Sequence, residues 1–225
     1  MLCTRCVDPV TALPMRSEAA HARRPARAAA WRWQLAVIVL VCLPLAHTLW
    51  QLATVPVTNP SQLLQRSLGL WALRLLLITL AITPLVRWTR WYRLVTLRRT
   101  LGLASFAYAC AHLGVYLWLD MGFELHDLAL DVTKRPFIVV GALVFLCLLP
   151  LAVTSTTAAQ RALGARRWKA LHRLVYVAVL LAATHYVMAT KVALTAPLLH
   201  GIAALVLLGL RCRPRRSAAT GHAPR

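Results

Sequence analysis

Apolar residues along this chain gather into six runs separated by short polar stretches: 33–50, 68–86, 101–119, 137–153, 171–188 and 192–210. Each is close to the roughly 20 residues that a helix needs to cross the hydrocarbon core of a bilayer. The pattern predicts an all-α integral membrane protein built as a bundle of six transmembrane helices over 33–210. An N-terminal extension over 1–32 and a basic tail over 211–225 flank it, and the connections are too short for a second folded domain. The extension is rich in Ala, Arg and Pro, which predicts a disordered cytoplasmic segment. The first run is longer than the apolar stretch of a signal peptide and has no small-residue cleavage pattern after it, so it counts as a span.

Composition strengthens the membrane reading. A chain of 225 residues that is 60% hydrophobic and 14% charged cannot hide its apolar surface in a soluble core of that size. The formal charge of +20 would suggest nucleic acid in a soluble protein, but its placement gives it another meaning. Lys and Arg number six in 1–32 and five each in 87–100, 154–173 and 211–225, all on one side of the expected bundle. The opposite segments hold Arg66, Lys134, Arg135 and Lys191, together with Asp120, Glu124, Asp127 and Asp131. By the positive-inside rule both termini are cytoplasmic and the acidic segment faces outward. The basic charge thus reads as a topology signal with attraction to anionic membrane lipid, and nucleic acid is not an expected partner.

Ionisable groups at membrane depth are costly and by default mark function or a packed partner. Here they are His47, Arg74, His112, His172, His185 and His200. His112 precedes Asp120 by eight residues, about 12 Å below the outer surface at 1.5 Å per residue. His185 precedes Lys191 by six, about 9 Å below it. Both helices run from inside to outside, so the pair is level in one bundle and suits axial ligation of a haem held between helices. The bland alternative is that each imidazole bonds a neighbouring carbonyl or hydroxyl.

His172 lies 13 positions before His185, about 20 Å deeper and about 140° around an ideal helix. Its level on the third helix holds Arg98 and Arg99, which are not normal haem ligands, so a second ligand site competes with a role in placing a flavin, quinone or headgroup. His47 and His200 follow prolines and read as structural. Arg74 either snorkels outward or pairs with a haem propionate. The stretch LGARRWKALHRL reads as an interfacial anchor that could also receive a flavin phosphate. Cys3 and Cys6 form a C-x-x-C without the second half of a zinc site, and Cys42, Cys110 and Cys147 sit in apolar runs as small hydrophobes.

RRTLGLASFAYACAHLGVYLWLD around His112, TKRPFIVVG before the fourth run, PLAVTST after it, and LGARRWKALHRLVYVAVLLAATHY through His172 and His185 together resemble the MsrQ (YedZ) family. The resemblance covers about 69–210 and leaves out the C-x-x-C. It implies a ferric reductase-like six-helix domain of the bacterial inner membrane, with haem b and, by family attribution, FMN. It further implies electrons taken from the quinone pool and passed to a periplasmic molybdopterin-containing methionine-sulfoxide reductase subunit, which repairs oxidised proteins. His112, His172 and His185 fall on the family's histidines, whereas His47, His126 and His200 match no motif.

The chain carries no G-x-G-x-x-G unit and ends 15 residues after its last run, so the donor is expected to be external, a quinol or a separate flavin reductase. No residue set resembles a catalytic site for sulfoxide reduction. Asp120 to Asp131 form a candidate docking surface for the partner, against a merely solvated loop. The competing readings are a self-contained reductase of ferric or other metal chelates and, last, a transporter, for which no internal repeat or pair of broken helices is visible.

Overall fold

The computed structural model describes the backbone of residues 15–190 and 193–212, so the C-x-x-C, Lys191 and the tail from 213 onward lie outside the described residues. The elements in order are α1 (Met15–Thr54), α2 (Pro60–Thr89), α3 (Leu94–Val115) ending in a π-helical turn (Tyr116–Asp120), α4 (Leu125–Lys134), α5 (Pro136–Val153), α6 (Thr157–Leu171), α7 (Leu174–Ala189) and α8 (Thr195–Cys212). Among the described residues there is no strand.

The chain forms two compact units, 1–40 and 41–225. In the first, helix α1 begins at Met15. The reason is local: Ala, Arg and Glu are strong helix formers and dominate this stretch despite Pro25. Trp33, Ile38, Val39 and Leu40 of this unit are exposed.

In the second unit a core of Leu73, Leu76, Leu77 and Leu80 from α2 meets Leu148 of α5, Ala178 and Val179 of α7 and Ala204 of α8. Ala178 and Ala204 are fully buried, and such small residues let helix backbones approach in an apolar solvent. The same principle joins α3 to α2, where the buried Ser105 donates its hydroxyl hydrogen to the Ala72 carbonyl at 2.8 Å. Tyr108 donates to the Val41 carbonyl at 2.6 Å, and Thr48 and Ser67 hydroxyls pair at 2.6 Å. Large apolar side chains such as Leu146, Val153, Ile202 and Leu205 point outward, as in a bundle solvated by lipid.

All six apolar runs lie in helices, but they are not six equal crossings. Arg32–Thr54, Pro60–Thr89, Leu94–Asp120 and Pro136–Val153 are each long and apolar enough to span, and α6 and α7, bent by 45° to one another, meet the same test only when taken together, as a broken span or a re-entrant loop. Thr195–Arg211 is a shorter apolar helix. Among the described residues four helices, or five spans if the bent pair counts as one, therefore meet the length and hydropathy test, and a count of six is not confirmed. The fifth run is interrupted because the helix breaks at His172 and Arg173, and the sixth starts late because Thr195 and Pro197 open α8. The expected outer loop is largely the short helix α4, with Asp131 paired to Arg135 at 3.0 Å.

Candidate functional site

His112 stands near the end of α3, one turn before the π-helical turn, a distortion common at functional positions. His185 stands in the last turns of α7. The two rings are neighbours, with centroids 6.1 Å apart and planes nearly perpendicular at 86°. Each is held by a different neighbouring helix. His112 Nδ1 lies 2.9 Å from the Gln65 carbonyl on α2, and His185 Nδ1 lies 2.7 Å from the Phe137 carbonyl on α5. A carbonyl oxygen only accepts, so Nδ1 carries the hydrogen in both rings and donates it. That leaves the Nε2 lone pair of each ring free for a metal.

The separation suits one metal ion between the rings. A metal–imidazole bond of about 2 Å on each side, plus about 1 Å from each Nε2 to its ring centre, gives a centroid separation of about 6 Å. Among the described residues no three His, Cys, Asp or Glu side chains gather into a metal-binding group. His112 and His185 are thus two imidazoles whose Nε2 atoms could hold a metal ion or the iron of a cofactor. Both histidines named from the sequence are thus brought together, and the hydrogen bonds to carbonyls foreseen as the bland alternative orient the same rings.

His172 is placed elsewhere. It sits at the break between α6 and α7, half-buried, its ring stacked on Trp168 at 3.9 Å and its Nδ1 3.1 Å from the Trp168 carbonyl. No histidine faces it among the described residues. The break also means that an ideal-helix angle between His172 and His185 does not apply. One turn onward, Tyr176 accepts a hydrogen bond from Arg211 at 3.2 Å, and Arg211 also donates to the Leu80 carbonyl at 2.9 Å. Arg211 belongs to α8 and packs into the bundle, although its place at the start of the basic tail hides this in the sequence.

Arg98 and Arg211 each bury an Nε that has no hydrogen-bond partner among the described residues, and the two like charges act on one another. Outside the N-terminal stretch, the chain's acidic residues all lie between Asp120 and Asp131. Sequence reasoning passed over both arginines as ligating groups; their depth beside His172 was the available signal.

Arg74 lies half-buried between α2 and α8, its Nε 3.5 Å from His200 Nε2 and its guanidinium 4.9 Å from the Trp71 ring centre. His200 in turn donates from Nδ1 to the Ala196 carbonyl at 2.7 Å and meets the Tyr186 ring edge-on. An imidazole and an indole face therefore partner the guanidinium. His47 is exposed beside Trp50, and His126 is exposed on α4.

Known proteins resemble this chain in sequence. The family described as ferric reductase like transmembrane component matches residues 68–183, which contain His112 and stop two residues short of His185. A protein-methionine-sulfoxide reductase heme-binding subunit MsrQ from Azospira oryzae is 45% identical over 78% of this chain and 76% of its own length. Proteins of the same name are 46% identical over 68% and 71% in Herminiimonas arsenicoxydans and 42% identical over 84% and 90% in Caulobacter vibrioides. With such identity over most of both partners, and with an apolar helical bundle to match, this chain is a multi-pass membrane protein and belongs to the MsrQ family of ferric reductase-like transmembrane proteins.

Proposed function

We propose that this chain is the haem b subunit of an inner-membrane electron-transfer system that supplies a periplasmic molybdopterin-dependent methionine-sulfoxide reductase. The observation that carries the reading is the neighbouring pair His112 and His185, each with Nδ1 committed to a carbonyl and Nε2 free. The names of the relatives, heme-binding subunits of a protein-methionine-sulfoxide reductase, support the same assignment. A bound haem supplies one-electron redox chemistry at its iron. His112 and His185 hold it from either side, and the Gln65 and Phe137 carbonyls fix the ligand tautomer and strengthen imidazole as a donor. The lipid-facing apolar walls keep water from the pair, and its position near the expected outer surface favours transfer to a periplasmic partner.

On the expected cytoplasmic side the Nε atoms of Arg98 and Arg211, without a partner among the described residues, suit the phosphate of FMN, and the Trp168 and His172 rings stack on one another at the break between α6 and α7. A flavin there supplies redox chemistry between a cytoplasmic donor and the haem. Electrons come from the quinone pool or from a separate flavin reductase docked on the basic loops. His172 then serves the flavin and not a second iron.

Haem and flavin quantification on the purified chain tests the reading. Wild type should hold one b-type haem per chain, His112→Ala and His185→Ala should lose it, and His172→Ala should keep it. Haem-free protein from haem-replete membranes, or normal haem in both outer variants, defeats the proposal. Reduced protein should also be reoxidised by the isolated periplasmic reductase with methionine sulfoxide, faster than by ferric chelates; the reverse order favours a self-contained metal-chelate reductase.

A further inference from the structure

Two glycines occupy matching places beside the two histidines. On α2, Gly69 follows by four residues Gln65, whose carbonyl accepts from His112. On α5, Gly141 follows by four residues Phe137, whose carbonyl accepts from His185. Residues four apart lie on one face of a helix, so each imidazole rests on its neighbour between an accepting carbonyl and a glycine. A Cβ at Gly69 would stand 3.0 Å from Cε1 and 3.1 Å from Nδ1 of His112. At Gly141 the corresponding distances to His185 are 2.9 and 3.0 Å. Carbon atoms pack comfortably only from about 3.5 Å, so any larger residue pushes the ring off its carbonyl.

The backbone gives no other reason for glycine at these positions. Both lie inside helices, where glycine is less favourable than alanine. Neither has a positive φ; among the described glycines that is confined to Gly122 and Gly164. The crowding is also specific, because Gly114, Gly201 and Gly209 meet nothing within 4 Å and Gly102 meets Thr79 at 4.0 Å. The same device thus appears twice, once where α2 packs on α3 and once where α5 packs on α7.

We infer that Gly69 and Gly141 are positioning residues that seat the two histidine rings on the Gln65 and Phe137 carbonyls and thereby set the angle between the ligand planes. This rests on haem ligation by His112 and His185. Its consequence is a division of labour: α3 and α7 carry the ligands, while α2 and α5, which carry none, decide how those ligands are turned.

The test uses the purified full chain with haem bound, as Gly69→Ala and Gly141→Ala, with Gly201→Ala and Gly209→Ala as controls. The first two should still take up haem but release it to a scavenging apoprotein about ten- to a hundred-fold faster, the range for losing an outer partner of a metal ligand. Their low-spin electron paramagnetic resonance signal and midpoint potential should shift, and the controls should match wild type. Wild-type release rate, signal and potential in both glycine variants, with haem lost from His112→Ala and His185→Ala, overturn this inference and leave the ligand assignment standing. Normal haem in both histidine variants overturns the assignment itself. Should the alanine variants not fold, double resonance on the wild type after transfer to D2O decides: slow exchange of both Nδ1 hydrogens supports the seating, and prompt exchange of both overturns it.

Discussion

At the scale of single residues, the organising fact is how each polar group in an apolar bundle finds a partner. His112 and His185 find backbone carbonyls through Nδ1, and the choice of partner leaves their other nitrogen available. Arg74 finds His200 and Trp71. Arg98 and Arg211 do not satisfy their Nε atoms among the described residues, and this makes them the sharpest candidates for an anion. Hydrogen bonds to charged groups contribute about 1.5–3 kcal/mol each, roughly a ten- to hundred-fold change in affinity. Arg98→Gln and Arg211→Gln should each weaken FMN retention by about that factor while leaving the outer haem spectrum unchanged. Equilibrium dialysis of flavin from the purified variants measures it, and flavin retention equal to wild type in both removes the arginines from the site.

At the scale of elements, small residues and short interruptions shape the bundle. Ala178 and Ala204 are fully buried where α7 and α8 meet the core, with no room for a larger side chain. Ala204→Leu should therefore destabilise the protein by about 1–3 kcal/mol through overpacking, read as a lower thermal midpoint in detergent. A variant that melts with wild type would show a looser packing than this. On the outer side, Tyr116 in the π-helical turn donates to Asp131 of α4 at 2.9 Å and ties that helix to the end of α3. Tyr116→Phe should speed hydrogen exchange in α4 without changing exchange in the helical core, and unchanged α4 protection would mean that other contacts hold it.

At the scale of the whole molecule, charge asymmetry predicts orientation. Basic residues crowd the segments 87–100 and 154–173, and the acidic residues Asp120 to Asp131 crowd the opposite side. In intact spheroplasts, a cysteine introduced by Asp127→Cys should react with a membrane-impermeant thiol reagent, whereas one from Gln160→Cys should react only after permeabilisation. Reversed labelling would invert the topology and move the histidine pair to the cytoplasmic side. Salt should also weaken docking of a soluble donor on the basic face, since exposed charges separated by more than about 10 Å are screened at 0.1 M.

The helical class, the positions of the apolar segments and the level of His112 and His185 were legible in the sequence, because apolar run length and rise per residue are local properties. The family resemblance was legible for the same reason, being carried by contiguous motifs around those histidines. The partners of the histidines were not: Gln65 and Phe137, whose carbonyls accept from the rings, lie 47 and 48 residues away, and nothing in their identity announces a contact made through backbone. The break at His172 was equally hidden, as was the inward turn of Arg211 from what reads as a basic tail. Sequence by itself determined that imidazoles stand at one depth in an apolar bundle. Only the tertiary structure decided which helices press on them, because ring orientation depends on contacts between helices distant in the chain.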